Sequence, residues 1–378
     1  MMNTVPELLI ILYAALYFLM TVVILTGVKR VRSYGIPAEL PSVTVIVCAR
    51  NEEDVIGRCL DSLLLLDYPR EKLEILIVDD ESDDRTADIV REYLSREVYF
   101  RLLSAGTELH DLPGKQRPLN RGIYEARGEI ILVTDADIEV QPGWIKGHVA
   151  AYDENTGIVG GITRVSTENG GILATVQNAD QVSKLTIAMG CAGLGIPLTI
   201  MGNNCSFRRD AFLECGGFGK INASIVEDVA LLYYMTRNTK YRLNWASERE
   251  SVAVSTPEES LSSFIEQRYR MATIINKAPL FGKMLIAMEI AMVFAVAVSV
   301  AVTAVSGLNT VWPMIISGAV WVFSNGLIVM SSPGSKIGDM ANVPGMLIFQ
   351  LIYGKALSRR ILFGRKKIVW KHRSYNAK

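Results

Sequence analysis

Four short acidic stretches are the residues in this 378-residue chain best suited to chemistry: Arg50-Asn51-Glu52-Glu53, Asp79-Asp80-Glu81-Ser82, Asp135-Ala136-Asp137 and Glu227-Asp228. Carboxylates two apart on an extended segment, as at Asp135 and Asp137, can both reach a hard cation through oxygen. Mg²⁺ or Mn²⁺ held in that way keeps substrate phosphates in its shell. A diphosphate there is a leaving group whose growing charge the ion neutralises. Each stretch alone also has a plainer reading. Acids after a strand cap the next helix, as Ser82-Asp83-Asp84 is placed to do ahead of Arg85–Ser95. Glu227-Asp228 suits the positive end of a helix dipole. Set in register on consecutive parallel strands, however, the first three stretches crowd one rim with carboxylates, and that rim repels itself until a cation joins it. Other phosphate devices are missing: no GxGxxG follows the first strand, and Gly114-Lys115 runs into Gln116 where a P-loop requires Ser or Thr.

The elements that must carry these residues are short β-branched runs, Val43–Cys48, Glu74–Val78 and Glu129–Thr134, separated by helix-like Val55–Leu66 and Thr86–Ser95. Strand–helix–strand alternation implies an α/β fold with a mostly parallel sheet and flanking helices, whose ligands collect at the carboxyl ends of strands.

Outside this region the chain is apolar. Mean hydropathy is +0.25, high for a soluble enzyme, while 21% charged residues are too many for a wholly buried membrane bundle. Leu8–Gly27 is an uncharged run long enough to span ~30 Å of hydrocarbon, followed by Lys29, Arg30 and Arg32. The positive-inside rule then sets the next domain in the cytoplasm. Met284–Val305, interrupted by Glu289, and Val311–Met330 form an expected transmembrane hairpin. Glu289 in a span reads either as a functional site or as a group snorkelling to the interface. Val343–Gly354 reads as a re-entrant or interfacial helix or as the core of a tilted fourth span, and a basic tail on the inner side favours the interfacial reading.

The 39 basic and 39 acidic residues are segregated: Lys355–Lys378 holds nine Lys/Arg and no Asp/Glu, leaving 30 basic against 39 acidic elsewhere. An acidic body with a basic tail argues against nucleic acid as a partner and for an anionic membrane face. Five cysteines without a CxxC pair read as reduced core thiols. The expected organisation is an anchor at 1–28, a cytoplasmic catalytic domain at 29–257, an amphipathic interfacial helix within 258–283, a hairpin at 284–330, and an interfacial or re-entrant segment with a basic tail at 331–378.

Seven motifs in order resemble the family 2 glycosyltransferases of GT-A (Rossmann-like) fold over roughly 43–275: VTVIVCARNEE (43–53), VDDESDD (78–84), PGKQRPLNRGI (113–123), TDADIEVQPGW (134–144), GNNCSFRRDAF (202–212), IVEDVALLYYM (225–235) and QRYRM (267–271). The resemblance, closest to integral-membrane members that glucosylate ceramide or carotenoid lipids, implies roles. Ala49, Glu52, Asp79 and Asp80 hold the base and ribose of a nucleotide sugar. Lys115 and Asn120 line the nucleotide–sugar edge, and Asn51, Asn203 and Asn204 join these contacts. Asp135 and Asp137 match the DxD metal pair, with Asp137 the direct ligand to Mg²⁺ or Mn²⁺. Asp228, beside Glu227, matches the catalytic base, and Gln267 and Arg270 match the QxxR placed near the diphosphate. A carboxylate on a separate segment suits removal of a hydroxyl proton and single-displacement inversion.

The signature ends in Met271 where the family has Trp. In processive synthases that Trp is a platform for an acceptor sugar, whereas flexible, apolar Met suits lipid better. The implied activity is transfer of one hexose from a UDP-sugar to the hydroxyl of a membrane lipid at the cytoplasmic leaflet. A processive polysaccharide synthase and a polyprenyl-phosphate glycosyltransferase are the alternatives. His110, in a loop, reads as a donor gate or a surface residue, and His148 as structural. Trp370-Lys371-His372-Arg373-Ser374-Tyr375 resembles a C-terminal stretch of some membrane-bound members and carries no catalytic role.

Overall fold

The computed structural model describes residues 5–106, 112–168, 170–221, 226–271, 278–306, 311–347, 349–350, 368–370 and 373–375. His110, the expected gate, lies outside them, as do most of 351–378 and the side chains of Arg270 and Met271. The chain divides into a helical unit (Met1–Arg30, Thr167–Leu194, Pro257–Gly364) and an α/β unit (Val31–Ser166, Gly195–Thr256, Arg365–Lys378).

In chain order the strands of the α/β unit are β1 (Val43–Ala49), β2 (Leu73–Asp79), β3 (Phe100–Ser104), β4 (Ile130–Asp135), β5 (Ile138–Val140), β6 (Thr156–Gly160), β7 (Thr163–Val165), β8 (Asn204–Arg208), β9 (Arg242–Trp245) and β10 (Ala253–Ser255). Helices among the described residues begin with α1 (Val5–Val28), α2 (Ile56–Leu64), α3 (Thr86–Leu94), α4 (Gln116–Glu125), α5 (Trp144–Val149) and α6 (Gly171–Gly193). They continue with α7 (Arg209–Glu214), α8 (Gly217–Lys220), α9 (Glu227–Asn238), α10 (Leu261–Met271), α11 (Leu280–Ser306) and α12 (Val311–Met330).

The main sheet runs β3-β2-β1-β4-β8-β6-β9. Its first four strands are parallel, β8 is antiparallel to both neighbours, and β6 and β9 are parallel. β1 and β2 are buried along nearly their whole length, as strands covered on both faces must be. Val45, Val47, Ile75, Ile77, Ile130 and Leu132 form the centre of one core. Register decides what this sheet presents. Ala49 pairs with Asp79, and Cys48 with Asp135, so β1, β2 and β4 end level. Because β8 runs the other way, Asn204 at its start pairs with Thr134 near the end of β4. Gly202 and Asn203 therefore enter at the rim where the acidic stretches leave. All five cysteines are free thiols, four of them buried. A small ribbon pairs Ile368–Trp370 with Arg373–Tyr375.

In the helical unit α1, α6 and α12 pack together with α10 and α11. Gly27 and Gly190 meet at the α1–α6 crossing, where a Cβ at Gly190 would lie 2.5 Å from the Ile24 carbonyl oxygen. Small residues allow two helices this approach. Among the described residues Leu8–Val28 is a helix long and apolar enough to cross a membrane, and Ile315–Met330 is a shorter apolar one. One sequence expectation changes here. The continuous domain read at 29–257 is interrupted, because Thr167–Leu194 belongs to the helical unit. Its helix α6 buries Gln177, Asn178, Asp180, Gln181, Ser183 and Thr186, so its composition hides its place among apolar helices. Glu289 finds its partners within the helical unit: Tyr17 Oη and Trp321 Nε1 donate to its two carboxylate oxygens, the latter at 3.0 Å.

Candidate active site

The loops after β1 and β2 are stitched to each other. The Asn51 N–H donates to Ser82 Oγ at 3.0 Å, Asn51 Oδ1 accepts from the Asp83 N–H at 3.0 Å, and the Glu52 N–H donates to Thr86 Oγ1 at 2.8 Å. Asn51 (φ 52°) and Glu81 (φ 61°) both adopt left-handed backbone. Strain of this kind persists only where surrounding structure holds it, and it concentrates at ligand sites. Asp80 is 2% exposed, and its carboxylate is gripped by Arg117 through Nε at 2.9 Å and through Nη2. Arg117 also reaches Glu81, with Nη2 3.2 Å from Oε2. The carboxylate thus faces a buried guanidinium on α4, while Glu52 and Asp79 keep partial exposure at the rim.

The second half of the rim is a charge cluster around one lysine. Lys115 Nζ pairs with Asp135 Oδ1 and donates to the Gly202 carbonyl at 3.1 Å. The Gly202 N–H in turn donates to Asp228 Oδ2 at 2.6 Å, and the Val229 N–H to Asp228 Oδ1 at 2.7 Å. Glu227 and Asp228 occupy the first turn of α9, where the dipole favours carboxylates. Burial pushes Asp228 up against these backbone donors. Burial, then the Asp228 charge, pushes Glu227 up to about 8. Burial, then Asp135 and Glu52, pushes Asp137 up to about 7. Burial lowers the Lys115 ammonium, but Asp135 and Glu227 outweigh it and hold the charge on. Carboxylates from the β1 loop, β4 and α9 therefore share one field with the Lys115 ammonium.

The family model for glycosyl transferase family 2 matches residues 44–216, the stretch that builds this rim. Residues 44–216 are a family 2 glycosyltransferase domain. A beta-monoglucosyldiacylglycerol synthase of Nostoc sp. is 30% identical over 199 residues, covering 52% of this chain and 42% of its own. A poly-beta-1,6-N-acetyl-D-glucosamine synthase of Staphylococcus aureus is 26% identical over 237 residues, covering 62% and 54%. The chain spans about half the length of the curated relatives it matches. Among solved structures, a mannosyltransferase from Pyrobaculum calidifontis, in complex with GDP-Man and Mn²⁺, superimposes with a TM-score of 0.58 at 19% identity, covering 95% of this chain and 99% of its own. That likeness establishes the GT-A fold.

Within the glycosyltransferase domain the donor set fits a hard divalent ion held mainly by substrate oxygen. Among the described residues no three His, Cys, Asp or Glu side chains are arranged as a complete metal cage. Mg²⁺ and Mn²⁺ do not require one, since one or two carboxylates with phosphates and water suffice. Asp137 is partly exposed and pressed by two like charges, so a cation would relieve it. Asp135 would contribute through the oxygen that Lys115 leaves.

Not every residue expected at the site is presented there. Asn204 is 0% exposed and acts as an internal latch. Its Oδ1 accepts from Trp144 Nε1 at 2.9 Å and lies 2.8 Å from His148 Nε2, while Nδ2 donates to the Ile162 and Ser251 carbonyls. With every polar atom used inside the core, it has nothing left for a nucleotide sugar. His148 is structural, and burial lowers it to about 4, keeping the ring neutral. Ala49 and Asn120 are buried, while Asn203 stays partly exposed with Oδ1 accepting from Thr163 at 2.9 Å. Gln267 and Arg270 belong to the helical unit, where Gln267 Nε2 donates to Glu258 Oε1 at 3.1 Å.

Sequence reasoning missed Arg117 and Gly202. Arg117 lies inside the matched PGKQRPLNRGI stretch, two residues past the lysine that drew notice. Gly202 opens another matched stretch, and a Cβ there would lie 3.2 Å from Asp228 Oδ2.

Proposed function

We propose that the chain is an inverting, divalent-metal-dependent glycosyltransferase. It moves one hexose from a UDP-sugar to a hydroxyl of a membrane lipid at the cytoplasmic leaflet. The observation that carries this reading is Asp228: a carboxylate locked by two backbone N–H groups, raised by burial, and set on a different element from the Asp135–Asp137 pair. Glu52, Asp79 and the strained loop at Asn51 would receive the nucleoside, with Arg117 holding Asp80 behind them. Asp137 and Asp135 would hold the divalent ion, which supplies charge neutralisation to the departing diphosphate. Lys115 stands beside that position with its proton retained. Asp228 takes the proton from the acceptor hydroxyl. Burial raises its proton affinity toward that of the hydroxyl it serves, and such a base contributes roughly 10²–10⁴ in rate. Gln267 and Arg270 complete the reading as contacts to the diphosphate.

The lipid acceptor is supported by the glucosyldiacylglycerol-synthase relatives, by the apolar helix Leu8–Val28, and by α11 and α12 as a following hairpin. The polysaccharide-synthase relative favours a second reading, processive elongation. Purified chain in lipid nanodiscs with radiolabelled UDP-sugars separates the two. A single sugar per lipid supports the first reading, and a ladder of oligomers replaces it with the second.

A further inference from the structure

Within the helical unit, the segment leading into and along α10 is held by α6 at two points. Gln177 makes a reciprocal pair with the backbone of Glu258: Nε2 donates to the carbonyl at 2.9 Å and Oε1 accepts from the N–H at 3.0 Å. Three residues further along α6, Asp180 Oδ2 accepts from Arg268 Nη2 at 2.5 Å and from Lys184 Nζ at 2.8 Å. Gln177, Asp180 and Arg268 are each at most 3% exposed. Arg268 also stacks over Phe264, 4.5 Å from the ring centre, and Phe264 packs on Phe349 at 4.2 Å. Two anchors ten residues apart fix both the rotation and the axial position of a helix, whereas either one alone would leave a pivot.

On an ideal helix, positions 267 and 270 share an edge centred roughly 130° away from position 268. Drawing Arg268 onto α6 therefore turns that edge away from α6. We propose that Asp180, assisted by Gln177, is a positioning residue that sets the register of α10 and thereby the presentation of the Gln267–Arg270 edge. This rests on the reading that Gln267 and Arg270 act in transfer, and the test separates the two.

The experiment uses the full chain in nanodiscs with the UDP-sugar that the wild type turns over. Asp180→Asn removes the charge with little change in shape. Hydrogen exchange of residues 258–271 should accelerate about tenfold while β1, β2 and β4 stay protected. Wild-type exchange in that segment overturns the clamp. The kcat per folded molecule should fall at least about tenfold, with the donor KM within about threefold, because small displacements of positioning groups act on the transition state. The loss should largely vanish when Arg270 is already Ala, since residues acting as a unit are non-additive. Losses that simply multiply overturn the positioning role, as does normal kcat in Asp180→Asn alone. Should Asp180→Asn fail to fold, Gln177→Ala, which keeps the ion pair, is read by the same two measurements. Full activity of Arg270→Ala removes the diphosphate role of α10, and the exchange arm still decides the clamp.

Discussion

The two units treat buried carboxylates in opposite ways. In the helical unit Glu289 receives a donor on each oxygen, from Tyr17 and Trp321, and Asp180 is shared by Arg268 and Lys184. On the rim of the glycosyltransferase domain, Asp137, Glu227 and Asp228 are pressed together around Lys115, and all three hold protons more tightly than usual. A carboxylate supplied with side-chain donors is holding structure together, whereas the donors to Asp228 are backbone N–H groups. A group of carboxylates left under mutual repulsion is stable only with something added, and a divalent ion with its diphosphate is the addition that fits. Asp80 shows that this contrast also runs inside the α/β unit, because Arg117 makes it resemble the helical unit's acids.

The comparison can be broken most sharply at Asp228. Asp228→Asn keeps one of the two backbone bonds, sets an NH2 group against the other N–H, and removes the base. Transfer should fall by about 10³, within the range for general-base loss, while UDP binding by calorimetry changes less than about threefold. Normal turnover would move Asp228 to the structural class. Next comes the metal. Asp137→Asn should abolish saturable Mn²⁺ binding, and chelation of wild-type enzyme should stop transfer. Because Asp137 sits near 7 without metal, Mn²⁺ must displace a proton, so its affinity should weaken about tenfold per pH unit below that value and level off above it. The linked stability runs the other way. A carboxylate raised by folding stabilises the metal-free fold while protonated, so melting temperature should drop as pH rises from the usual carboxylate range through 7, and Mn²⁺ with UDP should flatten the slope.

Asn204→Ala sharpens the other side. It takes the Asn204 partner from Trp144 Nε1 and from the Ser251 carbonyl, while the Ile162 carbonyl keeps the Ala253 N–H, and it should cost about 3 kcal/mol in unfolding experiments at unchanged kcat per folded molecule. A selective loss of donor affinity would restore Asn204 to the nucleotide site. Smallest is Gly202→Ala, which crowds Asp228 without touching its charge. About a tenfold fall in kcat with little change in melting is expected, since a shift of well under 1 Å in a reacting group is enough for that.

Much of this site could be read along the chain. Short β-branched runs located β1, β2 and β4, and the residues that follow each run named the acids that reach the rim. Level strand ends needed only the parallel pairing that such alternation implies. What could not be read were neighbours distant in sequence. Asp80 and Arg117 are 37 residues apart, Asp228 and Gly202 are 26, and Asp180 and Arg268 are 88. Asn204 looked like its neighbour Asn203, and only the packing of Trp144 and His148 against it decided that it faces inward.

The amino-acid sequence by itself determined that this chain carries a family 2 domain with acids at the ends of parallel strands, because local pattern fixes strand, helix and the residue that follows each. Tertiary structure alone decided which of those acids are neutralised. The energy of a buried charge depends on the few groups within about 4–6 Å of it, and folding draws those groups from anywhere along the chain.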